Sequence, residues 1–127
     1  MEKKVIRTDT APAPLGGAPY NQAIVAGDLV FVAGQLGIRP GDAAVDGTIG
    51  EQTEKVMQNI AAILTAAGSD IANLVKTTVF LADFDDFAGM NEVYARHVGP
   101  NAPARSTVEV ARLPAGVLVE IEAIAVR

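Results

Sequence analysis

The chain has 127 residues, with 10 Lys and Arg against 15 Asp and Glu, one His and no Cys, and half of its residues are hydrophobic. This length fits one domain spanning residues 1–127, and the net charge of −5 lacks the basic footprint of a nucleic-acid or anionic-membrane binder. Without cysteine and with a single histidine, the chain can form no disulfide, thiolate metal cluster, cysteine nucleophile or two-histidine site.

The N-terminal part of the chain predicts three strands. No uninterrupted apolar run follows residues 1–9, so we expect neither a signal peptide nor a membrane span, but a soluble cytoplasmic protein. A short strand around residues 4–7 precedes a loop rich in Pro, Gly and Ala at residues 10–19. Gly27-Asp28 then separates two apolar runs and favours a β-hairpin. The second run is apolar at both parities over residues 29–33, so we expect both of its faces to be covered.

Two helices are predicted in the remainder of the chain. Thr48 and Glu51 have capping-box spacing and mark the start of the first helix, which Gly68 is placed to end. Between these ends, one apolar helical stripe comprises Val56, Ile60, Ile63, Leu64 and Ala67. A β-branched, aromatic segment at residues 74–82 predicts a strand. The second helix follows it, with three acidic residues, Asp83, Asp85 and Asp86, at its N-terminus and Gly99-Pro100 at its end. Its apolar stripe comprises Phe87, Met90, Tyr94 and Val98.

Two final strands, at about residues 105–111 and 117–126, complete the chain. The segment between them contains Pro114 and Gly116, which suit a type I turn. The element order is therefore β-β-β-α-β-α-β-β, an α+β fold. Two helices can cover only one face of a sheet of five or six strands, so self-association is the economical way to cover the other face.

The last two strands carry the polar residues of greatest interest. If a two-residue turn is centred on residues 114–115, the strands form an antiparallel hairpin with Thr107 opposite Glu122 and Glu109 opposite Glu120. The polar residues of both strands then lie on the same face of the sheet.

Arg105 belongs to the same face as Thr107, which leaves two interpretations of these residues. One is a solvated strand face with cross-strand ion pairs, which the pattern alone favours. The other is a pocket in which a guanidinium binds a carboxylate ligand and a nearby glutamate handles a proton or a water molecule.

Several dispersed segments resemble the RidA family, also called YjgF-type reactive intermediate or imine deaminases. The strongest are PARSTVEVARLP at residues 103–114 and VEIEAIAV at residues 119–126. Further matching pieces, in the family's order, are APY (18–20), AGQL (33–36), KTTVF (76–80) and DFAGMNEVY (86–94). Together they cover nearly the whole chain and are far more specific than a single short motif.

The resemblance implies a chorismate-mutase-like α+β fold, with one mixed sheet of about six strands and two helices packed on one face. It also implies a barrel-like homotrimer with active sites in the clefts between subunits. The implied reaction is hydrolysis of enamine and 2-imino acid intermediates, released by pyridoxal-phosphate-dependent dehydratases, to 2-keto acids and ammonia. The family uses no metal and no organic cofactor.

The resemblance also implies roles for individual residues. Arg105 matches the arginine that clamps the substrate carboxylate, and Glu120 matches the carboxylate that orients or activates the hydrolytic water. The implied substrate-binding positions are Tyr20, Gly34, Asn91 and Thr107. His97 matches no functional position of the family, and we expect it only to complement the dipole of the second helix.

Two positions depart from the family pattern. Ala33 stands where the family often has serine, and Thr107 where it often has cysteine. Thr107 keeps a hydroxyl group, whereas Ala33 offers no side-chain donor, so substrate range and rate are affected first. Because Arg105 is retained, we favour a deaminating member of the family over a non-catalytic one.

Two other functions remain open. An endoribonuclease or translation inhibitor, also an activity attached to this family, would need a locally basic groove, and only Lys3, Lys4 and Arg7 cluster in the sequence. A non-catalytic trimer that binds small ligands is the other alternative. We expect no nucleic-acid or membrane partner and a small imino or keto acid as the ligand.

Overall fold

A computed structural model describes residues 2–127 and contains six strands and two helices in the predicted order. The strands are β1 (Lys3–Ile6), β2 (Ala23–Ala26), β3 (Leu29–Leu36), β4 (Leu74–Leu81), β5 (Ala104–Glu109) and β6 (Val119–Val126). The helices are α1 (Ile49–Ala66) and α2 (Phe87–Val98). All six strands form one mixed sheet in the order β1-β2-β3-β6-β4-β5, which confirms the α+β class. Within residues 2–127, neither helix is long and apolar enough to cross a membrane.

The ends of α1 follow the sequence signals. The Oγ1 atom of Thr48 accepts a hydrogen bond from the Glu51 amide, and the Thr48 amide donates to Glu51 Oε1, so the predicted capping box is confirmed. At the other end Gly68 has a φ of +78°, and the Ser69 amide donates to the Leu64 carbonyl oxygen over 2.8 Å. This left-handed cap is the reason for glycine at position 68.

The predicted hairpin is confirmed, and its second strand contains a β-bulge. β2 and β3 pair as antiparallel neighbours, and Gly27 turns the chain with a φ of +59°. Where β3 pairs with β6, Ala33 and Gly34 lie between the paired positions Val32 and Gln35 and interrupt the register. A bulge of this kind bends the strand and redirects the side chains around it.

The predicted hairpin between the last two strands is wrong. β5 pairs in parallel with β4 at the edge of the sheet, whereas β6 lies between β3 and β4 and is antiparallel to both. The connection passes over the end of β4, where the Leu81 carbonyl accepts from Val110 and the Ala82 amide donates to Leu118. The tight turn is centred on residues 115–116, since the Val117 amide donates to the Pro114 carbonyl. The φ of +79° at Gly116 fits a type II turn.

Both helices pack on one face of the sheet, so the chain has one core and one uncovered sheet face. The predicted stripe of α1 is buried there, together with alternate residues of the central strands such as Val30, Val79 and Ile121. On the other side, which we call the outer face, Leu29 and Phe31 remain 38% and 42% exposed. We expected both faces of β3 to be covered. Within a single chain, only the face beneath the helices is covered.

Three buried side-chain amides tie the loops to this core. Gln22 donates to the carbonyl groups of Thr8, Ala11 and Pro12. Asn59 donates to two carbonyl groups where β3 ends, and Gln52 donates to Gly116 and accepts from the Leu118 amide. A buried amide that satisfies several backbone groups fixes the path of the loop it holds. Gln52 therefore fixes the entry into β6.

Candidate active site

Arg105 lies on the edge strand β5, on the helix-covered face of the sheet. It is paired with Thr77 of β4, which is fully buried. Its guanidinium carbon lies 4.9 Å from the centre of the Tyr94 ring and 5.5 Å from that of Phe87, both on α2. Within residues 2–127 the guanidinium group makes no salt bridge or hydrogen bond. Its five N–H donors are therefore available to a ligand.

Two further polar side chains lie on the same side of the sheet. Asn91 is on α2 between Phe87 and Tyr94, one helical turn from each, and Thr107 follows Arg105 on the same face of β5. Asn91 Oδ1 and Thr107 Oγ1 are buried and have no hydrogen-bond partner in the part of the chain that the structure describes. Such oxygens are rare in folded proteins and are typical of ligand sites. We call Arg105, Asn91 and Thr107 the arginine cluster.

Glu120 lies on the outer face, because its neighbours Val119 and Ile121 are buried beneath the helices. It borders a cleft of about 300 Å³ lined by Leu15, Tyr20, Ala33, Gly34, Leu36, Pro114 and Glu120. The Tyr20 hydroxyl closes one side by accepting a hydrogen bond of 2.8 Å from the Leu15 amide. We call this feature the glutamate cleft.

The β3 bulge brings Gly34 against the Glu120 carboxylate. A Cβ atom at position 34 would meet Glu120 Oε2, so a larger residue there would displace the Glu120 carboxylate from its present position. Burial, and then the negative charge of nearby Glu122, raise the pKa of Glu120 above its ordinary value. A carboxyl group with a raised pKa binds a proton more readily than an ordinary glutamate, which suits it to accept and return a proton during a reaction.

The six predicted site residues therefore form two groups. Three of them lie in the arginine cluster, and the other three, Tyr20, Gly34 and Glu120, lie at the glutamate cleft. The prediction that Arg105 shares a face with the carboxylates of β6 is wrong, because Arg105 is paired with the buried Thr77 on the helix-covered face, whereas Glu120 lies on the outer face. The two strands are not neighbours either, since β4 separates them. A single chain brings together the members of each group but not the two groups.

The sequence analysis missed the aromatic support of Arg105. Phe87 and Tyr94 were interpreted only as part of the apolar stripe of α2, and Thr77 as an ordinary strand residue. An available signal was the spacing of two aromatic rings seven residues apart with Asn91 between them.

His97 instead binds Glu54 on α1, with a distance of 2.9 Å between Nε2 and Oε1. Among residues 2–127, no three His, Asp or Glu side chains are grouped as metal ligands.

Comparison with known proteins matches this chain along most of its length. The sequence model of the family described as Endoribonuclease L-PSP matches residues 8–127. A RutC family protein of Pyrococcus horikoshii is 54% identical over 124 residues, which are 97% of each chain. The 2-iminobutanoate/2-iminopropanoate deaminase of Rattus norvegicus is 44% identical over 126 residues, covering 98% of this chain and 90% of that protein.

Solved structures share the fold over the same length. RidA from an Antarctic Psychrobacter superposes with a TM-score of 0.92 at 42% identity and covers 98% of this chain and 99% of its own. E. coli TdcF with bound serine superposes with a TM-score of 0.89 at 41% identity and covers 98% of each chain.

Proposed function

The chain belongs to the RidA family, also known as the YjgF or endoribonuclease L-PSP family, and from this premise we propose that it hydrolyses enamine and 2-imino acid intermediates to 2-keto acids and ammonia. 2-Aminoacrylate is a representative substrate. The name of the rat relative describes this reaction class, and the ligand of E. coli TdcF is an amino acid with a carboxylate group. Both support a ligand of the same kind here.

The observation that carries the proposal is the guanidinium group of Arg105, which has no hydrogen-bond or ion-pair partner among residues 2–127. Its planar fork matches both oxygens of a carboxylate, which is the group shared by imino acid substrates and keto acid products. Asn91 Oδ1 accepts a hydrogen bond from a ligand donor, and the Thr107 hydroxyl either accepts or donates one. This side of the site therefore binds and orients the substrate.

Glu120 supplies the acid–base chemistry in this proposal. Its carboxylate takes a proton from a water molecule as the water oxygen adds to the carbon of the imine C=N bond, and Glu120 passes this proton to the nitrogen to give a carbinolamine. Glu120 then takes the proton of the carbinolamine hydroxyl as the C=O bond forms and the C–N bond breaks, and it gives that proton to the leaving nitrogen, which departs as ammonia. The reaction consumes one water molecule, and Glu120 ends in its starting state.

We also propose that the arginine cluster of one subunit meets the glutamate cleft of its neighbour in a homotrimer. Three features support this arrangement: the two groups lie on opposite faces of one sheet, each is incomplete, and the outer face exposes Leu29 and Phe31. Burial of such an apolar face is what drives stable self-association. Light scattering at micromolar protein concentration should give the mass of three chains, and a monomeric mass would contradict the arrangement.

A coupled assay tests the proposed activity. A serine dehydratase generates 2-aminoacrylate, and ammonia release is followed with and without this protein, while calorimetry measures pyruvate binding. We expect faster ammonia release and measurable pyruvate binding. Pyruvate binding without acceleration would support a non-catalytic ligand-binding protein. RNA cleavage by the same preparation, without deamination, would support the endoribonuclease alternative.

A further inference from the structure

Tyr94 and Thr77 connect the core of the protein to Arg105 through one buried hydrogen bond. Thr77 Oγ1 and the Tyr94 hydroxyl are 2.6 Å apart, and the two residues are 0% and 4% exposed. Thr77 is also the β4 residue paired with Arg105. Thr77, the neighbour of Arg105 in the sheet, therefore also holds the Tyr94 ring, and this ring lies against the guanidinium group of Arg105.

We infer that Tyr94 and Thr77 are positioning residues for the site: their hydrogen bond holds the Tyr94 ring against Arg105 and so aims the guanidinium at the substrate carboxylate. This inference rests on the proposed function. It adds two residues that touch neither the substrate nor the reacting atoms.

The inference follows from what else contacts Arg105. An arginine side chain on an edge strand has many rotamers, and ordering them on binding costs free energy unless the side chain is held beforehand. No acceptor among residues 2–127 holds this guanidinium, so the aromatic rings of α2 are its specific contacts. A guanidinium stacks well on aromatic faces because it is planar and weakly hydrated.

The two rings differ in how firmly they are held. Phe87 is only half-buried: it packs against the edge of the core and stacks on Phe84, whose ring centre lies 4.9 Å away and which is itself 44% exposed. The Tyr94 ring is buried in the core and anchored at its hydroxyl. Burial also raises the pKa of Tyr94, which keeps the phenol protonated and able to hydrogen bond. Tyr94 is therefore the firmer of the two supports.

Three substitutions separate positioning from ordinary core stability. Tyr94→Phe and Thr77→Val each remove one partner of the hydrogen bond without changing the size of the side chain greatly. Each leaves the other hydroxyl buried and unpaired, which lowers the melting temperature. The double variant removes both hydroxyls, so we expect it to recover most of that stability while the ring stays unanchored.

The decisive readouts are KM for 2-aminoacrylate, kcat, and the dissociation constant of pyruvate. In both single variants and in the double variant we expect KM and the dissociation constant to rise roughly three- to tenfold, with kcat nearly unchanged, since carboxylate binding is shared by ground and transition states. The 15N relaxation of the Arg105 Nε–H group provides a readout that needs no substrate. It should report a more mobile side chain in all three variants.

Ile63→Val is the matched control, because it trims a fully buried residue of α1 and should lower the melting temperature with KM unchanged. Two kinetic results would overturn the inference: native KM in the single variants, or a KM in the double variant that recovers together with its melting temperature. Failure of the proposed function is distinguished by the unsubstituted protein, which would then neither bind pyruvate nor accelerate ammonia release. Unchanged Arg105 relaxation in the variants would overturn the positioning role even in that case.

Discussion

The arginine cluster and the glutamate cleft differ in what surrounds their charged residue. On the helix-covered face, Arg105 is a cation that lies against two aromatic rings and forms no ion pair with any of residues 2–127. On the outer face, Glu120 is a carboxyl group whose pKa is raised by burial and by Glu122. One region has the groups needed to bind a carboxylate, and the other has the group needed to move a proton. In the proposed function, substrate binding and chemistry therefore lie on different faces of the sheet.

The largest expected effect comes from Glu120→Gln. The amide keeps the size of the side chain but cannot take a proton from water, so turnover should fall roughly a hundredfold or more. Pyruvate binding should stay close to native, because Arg105 is untouched. Ammonia release and calorimetry on the same sample measure both quantities. Unimpaired turnover would show that the glutamate cleft does not perform the chemistry.

Arg105→Lys should produce the complementary defect. The positive charge is kept, but an ammonium group cannot form the two parallel hydrogen bonds of a guanidinium or stack as well on Tyr94. We expect pyruvate affinity to fall roughly tenfold, with a larger loss in Arg105→Ala. Native pyruvate affinity in Arg105→Ala would remove the arginine cluster from the binding site.

A smaller effect is expected from Glu122→Gln. Burial is the larger cause of the raised pKa of Glu120, and the charge of Glu122 is the second. Removal of that charge lowers the pKa of Glu120, so its carboxylate forms at lower pH and the acid limb of the turnover profile moves to lower pH. Glu122 is exposed, so the fold should be unaffected. An unchanged limb, or one displaced to higher pH, would contradict the role of Glu120 as the base.

Treatment with EDTA should have no effect on turnover. The charged residues of the two regions are one arginine and one glutamate, and among residues 2–127 no three His, Asp or Glu side chains are grouped as metal ligands. The check is ammonia release before and after chelation. Loss of activity that a divalent ion restores would mean that a metal participates in the reaction.

Local features of the fold could be predicted from the sequence because neighbouring residues determine them. The capping box of Thr48 and Glu51, the turn at Gly27 and the cap at Gly68 each depend on a few adjacent residues. The burial of the α1 stripe follows from helical periodicity in the same way. The element order was therefore correct.

Strand pairing was predicted incorrectly because it depends on distant residues. The two-residue turn at residues 114–115 favoured a hairpin, yet Leu81 and Ala82 at the end of β4 bond to both sides of the connection instead. One signal for the observed pairing was available: a helix between two strands, such as α2 between β4 and β5, is the connection that parallel neighbours need. This error is why the two halves of the site were expected on one face.

The family resemblance supplied the candidate residues, but it did not predict what surrounds them in the structure. No local pattern relates Tyr94 to Thr77 or brings Gly34 against Glu120, since each contact joins two separate elements. Gly34 within an apolar strand did carry a signal, because an isolated glycine there is typical of a bulge or a close approach.

Mixing of the two inactive variants tests most directly whether the site forms between chains. Arg105→Ala and Glu120→Gln chains are unfolded together at equal amounts and refolded, with each variant refolded alone as the control. An interface with Arg105 from one chain and Glu120 from the other is then intact at roughly a quarter of the sites, so about that share of native turnover should return. Turnover no higher than the average of the two variants refolded alone would mean that each site is built within one chain, and would contradict the account.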